Sequence, residues 1–191
     1  MGKFFVPVGL SNRHIHLSEE HIEALFGKGY QLTPIKDLSQ PGQFACDEKV
    51  DVVGPKGTLK GVRVLGPARK ATQIEISLAD SFVLGVNPPI RDSGDLAGSP
   101  GAKIVGPKGE VTIDEGVIVA ARHIHMEPSD AEQVGLADKD LVSVRVEGKR
   151  GLIFENVLVR VSPSYKLEMH LDLEEGNAAA VKNGDKLEVL L

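Results

Sequence analysis

Tryptophan is missing from the 191-residue chain, and two tyrosines and six phenylalanines make up all its aromatic side chains. Stacking platforms for nucleic-acid bases therefore have little to be built from. No basic run offsets the formal net charge of −5, so no electrostatic footprint for nucleic acid is present. The single cysteine, Cys46, excludes an intrachain disulfide and fits a reducing cytosol. No apolar stretch reaches the roughly 18 residues of a spanning helix, which argues against a membrane protein. The N-terminal MGKFFVPVGL is too short, and turns polar too soon, for a secretory signal. These absences leave a soluble globular chain, long enough for one domain with a sizeable core or for two small ones.

Gly and Pro are plentiful instead, and they punctuate short β-branched runs. The runs Lys49–Val53, Gly61–Leu65, Thr72–Leu78, Val117–Ala121, Leu141–Val146, Val157–Val161 and Leu187–Leu191 read as strands. Their spacing predicts a mainly β barrel or sandwich. Helices are few and short. Ser18 is a good N-cap before Glu19, Glu20 and the periodic Ile22, Leu25 and Phe26, with Gly27 as a stop. Glu127-Pro128-Ser129-Asp130 opens a second helix that ends by Gly135, and a third is expected over Glu174–Lys182. The loop PPIRDSGDLAGSPG, residues 88–101, is the one long irregular connection, either a linker or an active-site loop.

Two internal echoes stand out. VGPKG occurs at 53–57 and 105–109, each time as a hairpin turn, and RHIH occurs at 13–16 and 122–125. Their offsets differ, so the chain is no simple tandem duplication, but two related β units are implied. Four of the six histidines sit in the two RHIH segments. On a strand, residues i and i+2 share a face about 6–7 Å apart. His14 with His16, and His123 with His125, can therefore each converge on one metal ion while Ile15 and Ile124 enter a core. Imidazole suits Zn²⁺, Cu, Fe and Ni, with zinc the commonest redox-silent choice. A fifth histidine, His170, alternates in LEMHLDLEE, with Glu168, His170 and Asp172 on one face and Met169, Leu171 and Leu173 on the other. His21 reads as a helix-surface residue.

Charged partners cluster in RVLGPARKATQIEISLAD, residues 63–80. Glu75 points away from Ile74 and Ile76 and could serve as a carboxylate ligand. The planar fork of Arg69 could clamp a phosphate or carboxylate. Cys46 is flanked by Asp47 and Glu48, which would raise a thiol's pKa, so it reads as a semi-buried small residue rather than a nucleophile.

The segments SNRHIHLS, QPGQFA, VGPKG, VRVLGPARKATQIEIS, RDSGD, ARHIHM and EMHLDLEEGNA follow one another through nearly the whole chain. Together they resemble the PduL-type phosphate propanoyltransferases, the phosphotransacylases associated with propanediol degradation and bacterial microcompartments. Two small departures are Asn12, where alanine is more usual, and Gly176, where alanine is usual before Asn177. The resemblance implies reversible transfer of a short acyl group, propanoyl first among them, between coenzyme A and inorganic phosphate. It implies two interleaved small β-barrels capped by short helices. Residues 1–12 and 121–191 would form one and residues 13–120 the other, with the active site at their junction. It also implies two zinc ions, one on His14, His16 and Glu75 and one on His123, His125 and His170. Arg69 would hold phosphate as the catalytic residue, and Ser11, Lys36, Arg63, Leu65 and Asn177 would contact CoA. The partners are then acyl-CoA or CoA and phosphate or acyl phosphate, with no nucleic acid and no membrane. A homodimer and microcompartment association are both compatible with it. Encapsulated relatives carry an extra N-terminal segment, and only about ten residues precede the first motif here, so cytoplasm is the expectation.

Two rivals follow from the residues themselves. A dizinc hydrolase would cleave a thioester or phosphoester with zinc-bound hydroxide and without phosphate. A structural metal-binding β protein would saturate its ions with protein ligands. Six ligands are too few to close two tetrahedral sites, which favours catalysis.

Overall fold

The computed structural model describes residues 3–191. The strands of the first half are β1 (Phe4–Ser11), β2 (His14–His16), β3 (Pro34–Asp37), β4 (Phe44–Val53), β5 (Thr58–Gly66), β6 (Gln73–Glu75) and β7 (Ile90–Arg91). After them come β8 (Ala102–Val105), β9 (Glu110–Ile113), β10 (Val117–Ala120), β11 (His123–Met126), β12 (Leu141–Val146), β13 (Leu152–Val161), β14 (Glu168–Asp172) and β15 (Lys186–Leu190). Among the described residues four short helices are interspersed: α1 (Glu19–Phe26), α2 (Leu78–Leu84), α3 (Pro128–Val134) and α4 (Leu173–Ala179). The fold is mainly β, with short capping helices.

The chain divides into two compact units. One gathers Met1–Asn12, Ser39–Pro41 and Ala121–Leu191; the other gathers Arg13–Leu38 and Gly42–Ala120. The first holds a closed six-stranded barrel in the order β1-β14-β11-β13-β12-β15. β1 runs parallel to β14 and antiparallel to β15, so the first strand of the chain sits between two of the last. The second unit holds a nine-stranded sheet, β7-β10-β6-β2-β5-β4-β8-β9, with β3 added on β4. Each has its own core. Ile124, Met126, Val144, Val159, Met169 and Leu171 lie within the first, and Ile15, Leu17, Leu25, Val64, Ile74 and Ile104 within the second.

The two VGPKG segments are hairpin turns, closed by Gly54 N–H to Gly57 O and by Gly106 N–H to Gly109 O, both at 2.9 Å. They do a second job. The Lys56 N–H donates to the Leu84 carbonyl at the end of α2, and the Lys108 N–H donates to Leu25 near the end of α1, both at 3.0 Å. Each turn thus satisfies a carbonyl that a helix end leaves without an intrahelical donor. The approach is close enough that a Cβ on Gly106 would lie 2.7 Å from the Leu25 carbonyl oxygen, and one on Gly54 would strike that of Leu84.

One segment differs from its sequence reading. Thr72–Leu78 reads as a single strand, but the strand stops at Glu75 and Ser77 opens α2. The Ser77 hydroxyl accepts from the Asp80 N–H at 3.2 Å while the Asp80 carboxylate accepts from the Ser77 N–H at 3.3 Å. That reciprocal cap supplies two partners for a helix of only seven residues. The third expected helix ends at Ala179, before Lys182, because Ala180 turns left-handed at φ 56°.

Candidate functional site

The two His-x-His pairs lie on very short strands, and the same construction surrounds both. In β2, Ile15 is buried in the core while His14 and His16 take the other face. β2 pairs antiparallel with β6, placing His14 opposite Glu75, Ile15 opposite Ile74 and His16 opposite Gln73. In the barrel unit, β11 pairs antiparallel with β14, placing His123 opposite His170, Ile124 opposite Met169 and His125 opposite Glu168. The register is identical. Directly opposed residues on an antiparallel pair share a face, so each pair of histidines gains a third candidate ligand from the neighbouring strand.

Each of these four strands then runs into a capped helix. The N-caps are Ser18, Ser77, Glu127 and Asp172, each two residues beyond His16, Glu75, His125 and His170 respectively. The helix fixes the strand end, and with it the ligand, at a defined point. The arginine that opens each RHIH tetrapeptide belongs to the same construction. Arg13 pairs with Asp80 at 3.1 Å and Arg122 with Glu175 at 3.0 Å. Asp80 and Glu175 are the capping-box acids of the helices that follow the third ligands. Arg122 also lies over the Phe154 ring and donates to the Glu155 carbonyl at 2.9 Å.

The outcome is two groups of three ligand atoms, each group lying within 4.8 Å of one another: His14, His16 and Glu75, and His123, His125 and His170. The His14 and His16 Nε2 atoms stand 3.4 and 3.9 Å from Glu75 Oε1. The ring centroids of His123, His125 and His170 are 4.6–5.1 Å apart. Burial, with the nearby His14 and Arg69 charges, lowers the His16 pKa to about 3. Burial, with His123, His170 and Arg160, lowers that of His125 to about 2. Both rings are therefore neutral at ordinary pH and carry a lone pair. Among the described residues neither ring nitrogen of His125 has a hydrogen-bond partner, nor has His16 Nδ1, although all three atoms are buried. Burial would raise Glu75, but His14, His16 and Arg69 outweigh it and hold the carboxyl far below its usual range. An ionised carboxylate near the neutral His16 ring, and the neutral His125 ring of the other cluster with neither nitrogen matched, suit a cation.

Arg69 is anchored through its backbone, with its N–H on the Leu17 carbonyl at 2.9 Å. Its guanidinium donates to Ser93 Oγ at 3.0 Å. Ser93 donates in turn to Glu75 Oε1 at 3.2 Å and accepts from the Gln73 amide at 2.8 Å. Gln73 also donates to Glu75 at 2.5 Å, and its carbonyl accepts from the Gly94 N–H at 2.7 Å. The irregular loop 88–101 is thereby tied to the candidate ligand Glu75. Ser93 and Gln73 escaped the sequence reading, and only the RDSGD segment hinted at the former.

Arg63 lies opposite His14 on β5, with Leu65 two residues on along the same face. The Arg63 fork donates to the Cys46 carbonyl at 2.7 Å. Lys36 and Leu65 are both opposite Ala45, in one row across three strands. In the barrel unit, Ser11 pairs with the cap residue Asp172, and Asn177 lies on the helix that Asp172 opens. Cys46 is fully buried, and burial with Glu48 pushes its thiol up to about 11, which leaves it no thiolate near neutrality. His21 is more engaged than a surface residue, meeting Thr72 Oγ1 at 2.7 Å. Among the described residues no helix is long and apolar enough to cross a membrane.

Residues 7–182 match the family model described as phosphate propanoyltransferase. A phosphate propanoyltransferase of Thermotoga maritima is 59% identical over 181 residues, covering 94% of this chain and 86% of the relative. One from Sebaldella termitidis is 57% identical, covering 93% and 84%, and one from Clostridioides difficile is 50% identical, covering 97% and 89%. Both candidate clusters and the loop carrying Ser93 fall inside the matched span, and the chain belongs to the phosphate propanoyltransferase family of acyltransferases.

Proposed function

We propose that this protein reversibly transfers a short acyl group, propanoyl foremost, between coenzyme A and inorganic phosphate, with two zinc ions as cofactors. The observation that carries the zinc reading is the pair of three-ligand clusters, in which buried, neutral His16 and His125 have ring nitrogens without a partner among the described residues. His14, His16 and Glu75 would hold one ion, and His123, His125 and His170 the other. Bound there, zinc would supply a Lewis acid for the thioester carbonyl and a soft partner for the departing sulfur.

The chain's own residues supply the rest. Arg69 would receive phosphate through its planar fork, which suits a tetrahedral anion's paired oxygens. Ser93 keeps that fork oriented, and Gln73 with Ser93 keeps Glu75 turned toward His14 and His16. A phosphate oxygen then attacks the acyl carbon. The new C–O bond forms, the C–S bond breaks, and acyl phosphate and CoA thiolate leave; the reverse reaction retraces the path. Cys46, buried and protonated, takes no part as a nucleophile. For CoA we assign Ser11, Lys36, Arg63, Leu65 and Asn177. The placement of Arg63 and Leu65 on the face that also carries His14 and Glu75 supports the reading for those two.

The test is release of CoA thiol from propanoyl-CoA with and without phosphate. Phosphate-dependent release that a chelator abolishes and zinc restores is expected. Release without phosphate would point to a thioester hydrolase, and no release from zinc-loaded protein would overturn the assignment. Arg69→Ala should lose phosphate-dependent turnover while still binding two zinc equivalents.

A further inference from the structure

The two clusters are built on the same register, and that register places one further residue at the same point in each. Gln73 faces His16 across β6 and β2, and Glu168 faces His125 across β14 and β11. Each lies two residues before the third ligand of its cluster, on the same face. Each also hydrogen-bonds to that ligand: Gln73 Nε2 to Glu75 Oε1 at 2.5 Å, and Glu168 Oε2 to His170 Nε2 at 2.6 Å. A serine from a separate segment fixes each one, Ser93 for Gln73 and Ser39 for Glu168.

What differs is polarity, and it differs in a matched way. Glu75 is an anionic acceptor, and its partner Gln73 offers an amide donor. His170 offers a ring N–H, and its partner Glu168 is an acceptor. An ionised carboxylate can only accept, so His170 must donate from Nε2, and its lone pair when neutral then sits on Nδ1. The fold also makes room for this carboxylate. A Cβ on Gly9 of β1 would lie 2.8–3.1 Å from the carboxylate atoms of Glu168. Gly9 sits in extended strand opposite His170, so it is the space, not the backbone conformation, that calls for glycine.

We propose that Gln73 and Glu168 are the positioning residues of the two clusters, each orienting the third ligand through a hydrogen bond of matching polarity. The inference rests on the reading that both clusters hold a metal ion. Partners of this kind fix tautomer and ring orientation, and their loss typically lowers metal affinity by about 10–100-fold. The readout is local, because each residue bonds to the third ligand on its own strand.

The experiment is zinc titration against a chromophoric chelator, with imidazole ¹⁵N shifts recorded on zinc-free protein. E168Q keeps the shape of the side chain and removes its charge. In an H14A/H16A background, which leaves only the three-histidine cluster, E168Q should weaken zinc about 10–100-fold. His170 should also lose its single Nε2–H tautomer. Q73A, in an H123A/H125A background, should weaken the other ion comparably. G9A should mimic E168Q by pushing the carboxylate aside, and should add nothing once Glu168 is alanine. Unchanged affinity and an unchanged tautomer would overturn the proposal. So would an equal loss when E168Q is placed in the H123A/H125A background, with a lowered melting temperature, since that marks general damage. Failure of the wild-type protein to take up zinc would instead overturn the metal reading beneath it.

Discussion

Ser93 is the place where the irregular loop can be tested against the chemistry. Ser93→Ala removes one hydroxyl that accepts from Arg69 at 3.0 Å and from Gln73 at 2.8 Å, and donates to Glu75 at 3.2 Å. Two of these bonds involve charged groups, and hydrogen bonds to charges contribute about 1.5–3 kcal/mol each. Glu75 retains its bond from Gln73, so the main loss falls on Arg69, whose guanidinium loses the Ser93 acceptor. A single such bond corresponds to about 10–100-fold in an equilibrium or rate ratio. We therefore expect kcat/KM for phosphate to fall by about 10–100-fold, while the protein still binds two zinc equivalents. The assay is initial-rate CoA release at sub-saturating phosphate, with zinc content measured on the same sample. Ser93→Thr keeps the hydroxyl and should recover most of the loss. A Ser93→Ala enzyme with wild-type kcat/KM for phosphate would show that the network does not orient Arg69.

Further outcomes follow from the caps and the buried groups. Ser77→Ala should cost about 1 kcal/mol by breaking the α2 capping box. That corresponds to a fall of about 2–4 °C in Tm by calorimetry, with zinc binding kept. The zinc-free protein should lose stability as pH falls from 7 to 5. The pKa values of His16 and His125 are depressed from 6.5 to about 3 and about 2, so only the unfolded chain takes up these protons in that range. Protons bound by the unfolded state alone favour it, and each histidine contributes about 2 kcal/mol of loss at pH 5. Urea midpoints that stay flat or rise on acidification would contradict this. Cys46 should resist iodoacetamide in the native protein at pH 7.5 and react fully once denatured. Rapid native labelling would show that the core around β4 opens.

Much of this was legible in the residues because alternation carries it. His-Ile-His reads as a two-faced strand wherever it occurs, and the buried Ile15 and Ile124 follow from the same period. The alternation of Glu168, His170 and Asp172 against Met169 and Leu171 is likewise seen in the burial of β14. Where the structure exceeds the sequence, the cause is a long-range contact. The strand-like run from Thr72 is the local exception: the capping pair Ser77 and Asp80 lies three residues apart, but the β-branched run before it masked the helix start. Ser93 is one hydroxyl in a Gly- and Pro-rich loop, and nothing local marks it as a neighbour of Arg69. The repeated VGPKG was legible as a turn. That it also closes the ends of two helices is a matter of tertiary packing, which a pentapeptide cannot announce. Gln73 and Glu168 went unpaired in the sequence because one is an amide and the other an acid; only the shared register aligns them.

The place of β1 in the closed barrel sets an order of events during synthesis. Its two neighbours are β14 and β15, so β1 leaves the ribosome well before either of its partners. Every residue of the Arg13–Leu38 and Gly42–Ala120 unit is made in the interval, and that sheet can form while FFVPVGLS waits. A waiting apolar strand is an invitation to pair with other nascent chains. Pro7, which lacks an N–H, interrupts the donor row of that edge, so the chain carries some protection within the very segment that must wait longest.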